Sequence, residues 1–419
     1  MSEKQSKSLT VITIVAMMFL YAMISFVTNL AAPVGKIWGA SFTDPAQAER
    51  MGMLGNLFNF LAYLIMGIPA GNILAKFGYK KTALAAIVVG AAGMAVQWLS
   101  GPLNSFYVYL CGALLGGFCV CMLNTVVNPM LNLLGGGGNR GNQLNMIGGT
   151  LNSLTGSLTP MLVGALIGES LAGKTIVDVS MLLLMAIGVF AIVYGVILLT
   201  PFAEPKGTGA EVTYERTPWS FRHFTLGVIA IFFYVGVEIG IPATLISYLK
   251  PIIGFNSAGF IAGLYWLLML VGHTVGSFIG GKVSSRSMVI TVATVAIALM
   301  TAAMIIGDKV ELPLMTSWSF EVEAVPLAAL LIILCGLCTS VMWTSIFNMA
   351  TEGLGKYTAK ASGIFMMMVV GGGVVPYIQS VVAAHNCLIS YIVPIIGVAF
   401  ILYYSLWGSK NVNTDIKID

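Results

Sequence analysis

The sequence predicts an all-α membrane protein: twelve transmembrane helices in two six-helix halves. Three observations carry this: an apolar composition, twelve long apolar runs, and one long polar break at the middle. Of the 419 residues, 58% are apolar and 9% are charged. Soluble domains average about 45–50% and about 25%. Twenty basic and 16 acidic residues fall far short of the roughly 100 charges that a soluble surface of this size carries. Mean hydropathy is +0.93. This excludes a soluble enzyme and a disordered chain, and it makes the lipid bilayer the first partner. A net charge of +4 with no basic run gives no footing for nucleic acid.

Spanning the hydrocarbon takes about 20 apolar residues. The first run, 9–39, is too long for a cleaved signal and reads as a retained helix. The second, 50–75, ends at the basic loop Lys76 to Lys81, the third, 81–100, at Gly101-Pro102, and the fourth, 104–134, at four glycines. The fifth, 139–168, is rich in amides and stops before Glu169, and the sixth, 178–201, ends at a proline. The seventh, 222–250, ends at Lys250-Pro251, the eighth, 257–284, contains Gly280-Gly281-Lys282, and the ninth, 287–307, ends before Asp308. The tenth, eleventh and twelfth fall at 324–352, 358–385 and 388–408. Backbone groups in lipid must bond internally, so all are expected to be helices. No strand is expected.

Residues 202–221 form the longest polar stretch between runs and split six helices from six. The expected organisation is therefore a bundle over 1–201, a cytoplasmic linker over 202–221 and a bundle over 222–419. Two parallel halves, each of two inverted three-helix units, have this outline. With both termini cytoplasmic, Lys36, Arg50, Lys174, Lys250 and Lys309 lie outside, and the remaining 15 of the 20 basic residues lie inside. That asymmetry sets the orientation.

Several motifs are discounted. GGGGNRG (Gly135 to Gly141) contains G-x-G-x-x-G but follows a membrane helix, whereas dinucleotide binding needs a βαβ unit. Cys335-x-x-Cys338 and Cys119-x-Cys121 have no His or carboxylate nearby and read as small core residues. All six cysteines are assigned to apolar runs rather than loops. His273 reads first as a packed, hydrogen-bonded imidazole. No metal set or nucleophilic triad appears, so neither a cofactor nor an enzymatic activity is expected.

The polar residues inside the runs carry the function. Of the acids, one lies in mid-membrane: Glu238, in FFYVGVEIGIP. Such a carboxylate is costly and must be protonated, paired or solvated by a cavity. Asn124, Asn128 and Asn132 recur every four residues on the fourth helix and form one stripe. The same spacing holds for Ser340, Thr344 and Asn348 on the tenth, Ser25 and Asn29 on the first, and Tyr234 and Glu238 on the seventh. These four helices open the four three-helix units, which should set them around one cavity. The second helix adds Asn56, Asn59 and Tyr63, and the fifth adds Asn145 and Asn152. Any single amide could serve as glue between helices; stripes on equivalent helices favour a polar cavity. The second half offers aromatics instead: Tyr265, Trp266 and Trp343. Amides for hydroxyls and rings for a C–H face suit a neutral, many-hydroxyl solute. The binding set is thus Asn29, Asn56, Asn59, Asn124, Asn128, Asn152, Tyr234, Glu238, Trp266, Trp343, Asn348 and, on the eleventh helix, Gln379.

GNILAKFGYKK (Gly71 to Lys81) resembles the loop motif of the major facilitator superfamily, keeping Gly71, Lys76, Gly78, Lys80 and Lys81 but with Ala75 in place of the motif's Asp. The chain is more specifically similar to the fucose–proton symporter family, glucose/galactose permease branch. The similar stretches include NTVVNPMLNLLG (Asn124 to Gly135), LGVIAIFFYVGVEIG (Leu226 to Gly240), EGLGKYTAKASG (Glu352 to Gly363) and VGGGVVPYIQ (Val370 to Gln379). The resemblance implies the major facilitator fold, alternating access, and proton-driven uptake of a monosaccharide across the bacterial inner membrane. It also implies a gating role for the loop residues, weakened because Ala75 cannot form the motif's ion pair. Asn29 and Asn124 stand where relatives carry acidic groups or Gln, Gly149 where they carry Gln, and Ser277 where they carry Arg. Asn cannot take up a proton, so Glu238 is the remaining coupling candidate.

The expected function is secondary transport of a neutral, hexose-like sugar by alternating access, with proton symport. An uncoupled facilitator, or a carrier of another neutral polar solute such as a nucleoside, is the alternative. A membrane sugar sensor without flux ranks third.

Overall fold

The computed structural model describes residues 3–40, 45–167, 175–202, 204, 214–317, 319–413 and 416. The first half of the chain forms α1 (Glu3–Ala40), α2 (Pro45–Phe77), α3 (Tyr79–Ser100), α4 (Phe106–Leu134), α5 (Gly138–Ile167) and α6 (Ser180–Leu199). The second forms α7 (Arg222–Gly254), α8 (Asn256–Ile279), α9 (Ser285–Ile306), α10 (Leu327–Thr351), α11 (Gly355–Ala383) and α12 (Ile389–Gly408). Among the described residues, 11 of these helices are long and apolar enough to cross a membrane. The exception is α5, which is 30 residues long but carries Asn142, Gln143, Asn145 and Asn152. Hydrogen bonding runs on from α7 into α8, and the direction changes at Gly254, whose φ of 80° suits glycine.

Two features differ from expectation. The tenth run does not begin as a helix: β1 (Glu311–Met315) and β2 (Val322–Pro326) form an antiparallel hairpin with Glu311 opposite Pro326. The strands are short and alternate in exposure, and both lie outside the apolar spans, where extended backbone can meet water. Cys387 sits in the turn between α11 and α12, not within a helix, and is a free thiol.

Small residues set the helix spacing. A Cβ on Gly93 of α3 would stand 2.8 Å from the Gly116 backbone nitrogen of α4. One on Gly371 of α11 would stand 2.0 Å from the Phe232 carbonyl oxygen of α7. Lipid offers no hydrophobic drive between helices, so close backbone approach supplies the contact. α4 is buried almost continuously from Cys119 to Asn132 and forms the middle of the first half.

The halves meet along two seams, α2 against α11 and α5 against α8. The first is tightest at the end bearing the 2–3 loop: a Cβ on Gly363 would stand 2.3 Å from the Gly67 carbonyl oxygen. At that same end Gln143 of α5 donates to the Ser277 carbonyl (2.9 Å) and Asn132 of α4 to Thr351 (3.4 Å). Asn142 donates to Ser345 at 3.3 Å. That end is therefore closed by direct contacts between the halves.

Candidate functional site

The amide stripe of α4 converges with residues of α1, α2, α5 and α10. Asn128, fully buried, is the hub. Its amide oxygen accepts from the Tyr21 hydroxyl at 2.5 Å and from the Trp343 indole N–H at 3.1 Å. Its own NH2 donates to the Asn124 carbonyl (2.9 Å), and its backbone carbonyl accepts from Asn145 (3.1 Å). Asn124 donates to the Tyr63 hydroxyl at 2.9 Å, and Asn152 donates to the Tyr21 carbonyl at 3.2 Å. Helical spacing puts Asn124 and Asn128 on one face of α4, and the neighbouring helices present their polar groups to that face.

The second half joins this cluster through Trp343. Its ring lies 6.1 Å from the Tyr234 ring, tilted by 55°. The Tyr234 hydroxyl donates to Glu238 Oε1 at 3.0 Å. One chain of contacts thus runs from Glu238 through Tyr234 and Trp343 to Asn128 and Tyr21. A neutral hydroxyl is the side-chain partner of the carboxylate, rather than a basic group. At the adjoining seam, His273 Nδ1 lies 3.0 Å from the Ser153 hydroxyl. A packed, bonded histidine is what the sequence led us to expect.

Other residues of the expected set lie elsewhere. Asn348 donates to Ser285 of α9 at 2.8 Å, while Ser340 and Thr344 bond the carbonyls of Leu337 and Val341 within α10. Asn29 folds back on the Ser25 carbonyl at 2.8 Å. Trp266 is exposed and meets Tyr265 edge to face at 5.3 Å. Asn59 is buried against Gly117, with its amide oxygen unpartnered. Gln379 has no exposed surface, and neither of its amide atoms has a partner. It packs on Gly240, two residues from Glu238. The side chain of Asn56 lies outside the described residues.

In the loop motif, a Cβ on Gly71 would stand 3.0 Å from the Lys360 carbonyl oxygen of α11, so this glycine belongs to the seam. Gly78 has φ 82° and starts α3, whose first N–H groups, of Tyr79 and Lys80, donate to Glu204 at 3.0 and 2.8 Å. Lys80 donates through Nζ to the carbonyls of Leu198 and Thr200, closing the end of α6. Lys76 lies over the neighbouring Phe77 ring, and Lys81 is exposed.

Tyr21 joins this hydrogen-bonded cluster but is not in the expected set. It stands four before Ser25 and eight before Asn29, so the stripe of the first helix reaches one step further than its amide and hydroxyl suggested.

Comparison with known proteins identifies the family. The sequence profile of the Major Facilitator Superfamily matches residues 13–376. A protein of Helicobacter pylori is 29% identical, covering 98% of this chain and 99% of its own length. The glucose/galactose transporter of Brucella abortus is 25% identical, covering 98% and 96%. A solved structure of the Escherichia coli fucose:proton symporter superposes with a TM-score of 0.79 at 20% identity, over 96% of this chain and 100% of the other. The chain belongs to the major facilitator superfamily.

Proposed function

We propose that the protein is a secondary transporter that carries a neutral monosaccharide across the bacterial inner membrane by alternating access, coupled to protons. The observation that carries this reading is the contact chain Glu238–Tyr234–Trp343–Asn128–Tyr21, which joins an intramembrane carboxylate in one half to an amide cluster in the other. A sugar hydroxyl can replace either donor on the Asn128 oxygen, because it both donates and accepts. Gln379, packed on Gly240 two residues from Glu238, has both amide atoms unpartnered and can offer further bonds. The names of the Brucella abortus and Escherichia coli relatives point to the same solute class.

In this reading the halves 1–201 and 222–408 rock about the linker 202–221. Both termini face the cytoplasm, as the basic residues favour. The closed end is then the cytoplasmic one. Glu238 takes up a proton from outside, and solute binding at the Trp343–Asn128 junction is linked to its charge. Loss of the acidic groups at Asn29 and Asn124 favours one second reading, an uncoupled facilitator.

The test is a thermal-shift screen of the purified protein against sugars and nucleosides, then uptake of each hit into liposomes at two pH values. Concentrative uptake that follows an imposed inward proton gradient supports symport. Counterflow without any response to pH supports the facilitator. Binding without flux would leave only the sensor.

A further inference from the structure

The superfamily loop motif lacks its acid here, since position 75 is Ala; Lys76 lies over the neighbouring Phe77 ring, and Lys81 is exposed. Yet the end carrying this loop is closed. Beside the glycine contacts and the amide bonds between the halves, a further group of residues ties the connecting stretch to α11. Lys360, on the first turns of α11, has its ammonium 3.6 Å from the centroid of the Tyr214 ring. Tyr214 lies in the stretch that joins the halves. Its ring packs on Tyr357 of α11 with centroids 5.6 Å apart. Two residues on, the Arg216 N–H donates to the Tyr357 hydroxyl at 3.3 Å. Tyr357 is itself fully buried and meets Phe221 at 5.4 Å. The backbone carbonyl of the same Lys360 lies against Gly71 of α2. Ten residues before Tyr214, Glu204 caps α3 of the first half, and both residues lie near the Tyr79 phenol.

We propose that the Lys360 ammonium on the Tyr214 ring is the latch that holds the α2–α11 end shut, in the role that the superfamily motif gives to an ion pair. The proposal rests on the alternating-access reading, for which this end must open. A cation over an aromatic face is held by the ring quadrupole and gains strength as water is removed. The Tyr214 hydroxyl is buried and has no hydrogen-bond partner, and burial raises its pKa above the ordinary tyrosine value. The ring therefore stays neutral, and the hydroxyl contributes no bond to the contact. The geometry thus makes a sharp distinction: the latch needs a ring at 214 and a cation at 360, and nothing from the phenol oxygen. Opening this end would separate α11 from α2 and draw Lys360 away from Gly71. The Tyr214–Lys360 contact stabilises the closed arrangement only while the linker stays seated on Tyr357.

Hydrogen exchange of the full-length protein in nanodiscs tests this without any substrate, so its result stands apart from that of the transport assays. The peptides to follow cover 67–78 and 356–367. Lys360→Met and Tyr214→Leu should each speed exchange there by roughly fivefold, and the double variant should be no faster than either single one. Tyr214→Phe and Lys360→Arg should match the wild type. The proposal is overturned if Tyr214→Phe is as disruptive as Tyr214→Leu, if the single effects multiply in the double variant, or if no variant changes exchange. Should one of the disruptive variants fail to fold, the other one decides, because removing either partner of the contact should speed exchange by roughly fivefold and no change overturns the proposal.

Discussion

The indole of Trp343 in α10 donates a 3.1 Å hydrogen bond to the amide oxygen of Asn128 in α4. This bond crosses from one half to the other at the amide cluster, and Tyr21 shares the same acceptor. Replacing Asn128 by Leu removes that acceptor, leaves the half-buried Trp343 N–H without one and leaves the Tyr21 hydroxyl only the longer contact to Asn145 Oδ1 at 3.5 Å. An orphaned donor costs about 1–3 kcal/mol, so the variant should lose roughly 1–3 kcal/mol of stability and its ligand-induced thermal shift. Trp343→Phe removes one bond and orphans nothing new, and should cost about 0.5–1.5 kcal/mol. Thermal melting with and without the best sugar measures both, and a silent Asn128→Leu would remove the hub from the site.

Glu238 has Tyr234 as its side-chain partner, and among the described residues no basic group is bonded to it. A carboxyl that loads a proton from outside makes uptake rise as external pH falls. Glu238→Gln cannot change charge, so its uptake should be flat with pH and stop at equal concentrations, while counterflow persists within about threefold of wild type. Concentrative uptake by this variant, still responsive to pH, would assign coupling elsewhere.

Gly363 and Gly67 press backbone on backbone at the α2–α11 seam. A methyl on Gly363 has no flexible neighbour to displace, because the atoms it meets are main-chain atoms of Gly67 and Gly71. Gly363→Ala should cost about 1–3 kcal/mol by overpacking and shift the protein away from the closed arrangement. Gly188→Ala in α6, where a Cβ meets nothing within 4 Å, is the control. It should be neutral or gain up to about 1 kcal/mol from helix propensity. Equal melting temperatures for the two variants would sink the argument.

Gly78 combines φ 82° with a carboxylate oxygen of Glu204 only 3.1 Å from where its Cβ would stand. Gly78→Ala should therefore lose about 1–2 kcal/mol from backbone strain. Glu204→Gln keeps an acceptor for the α3 N–H groups but drops the charge that the helix N-terminus favours. Its effect should be smaller than that of Gly78→Ala and should fade in high salt. A salt-insensitive loss for Glu204→Gln would mean that the charge contributes nothing to the cap.

Which residues are polar inside the membrane was legible, and so was their grouping by helix. Asn124 and Asn128 share a face because they are four apart, and they do meet other polar groups. The same arithmetic put Asn348 with them, yet its amide turns to Ser285. Spacing defines a face relative to a helix's own axis. It does not say how that helix is rotated, or which neighbour the face meets. Asn29 satisfied itself on its own helix, which no spacing rule distinguishes from a group that reaches across. Tyr21 was visible as one more step of the first stripe, but a phenol in an apolar run looks like ordinary core.

The sequence alone determined the helices, their number and the fold class, because a chain in lipid must satisfy its backbone within each helix and so writes each span as a local run of apolar residues. It also singled out Glu238 as an acid within an apolar run and led us to read the 202–221 stretch as the break between halves. Only the tertiary structure decided which of the amides share a hydrogen-bonded centre, that Tyr214 meets Lys360, and that Gly67 meets Gly363. Those choices depend on how closely backbones approach and how each helix is turned, and both are set by packing between residues far apart in the chain.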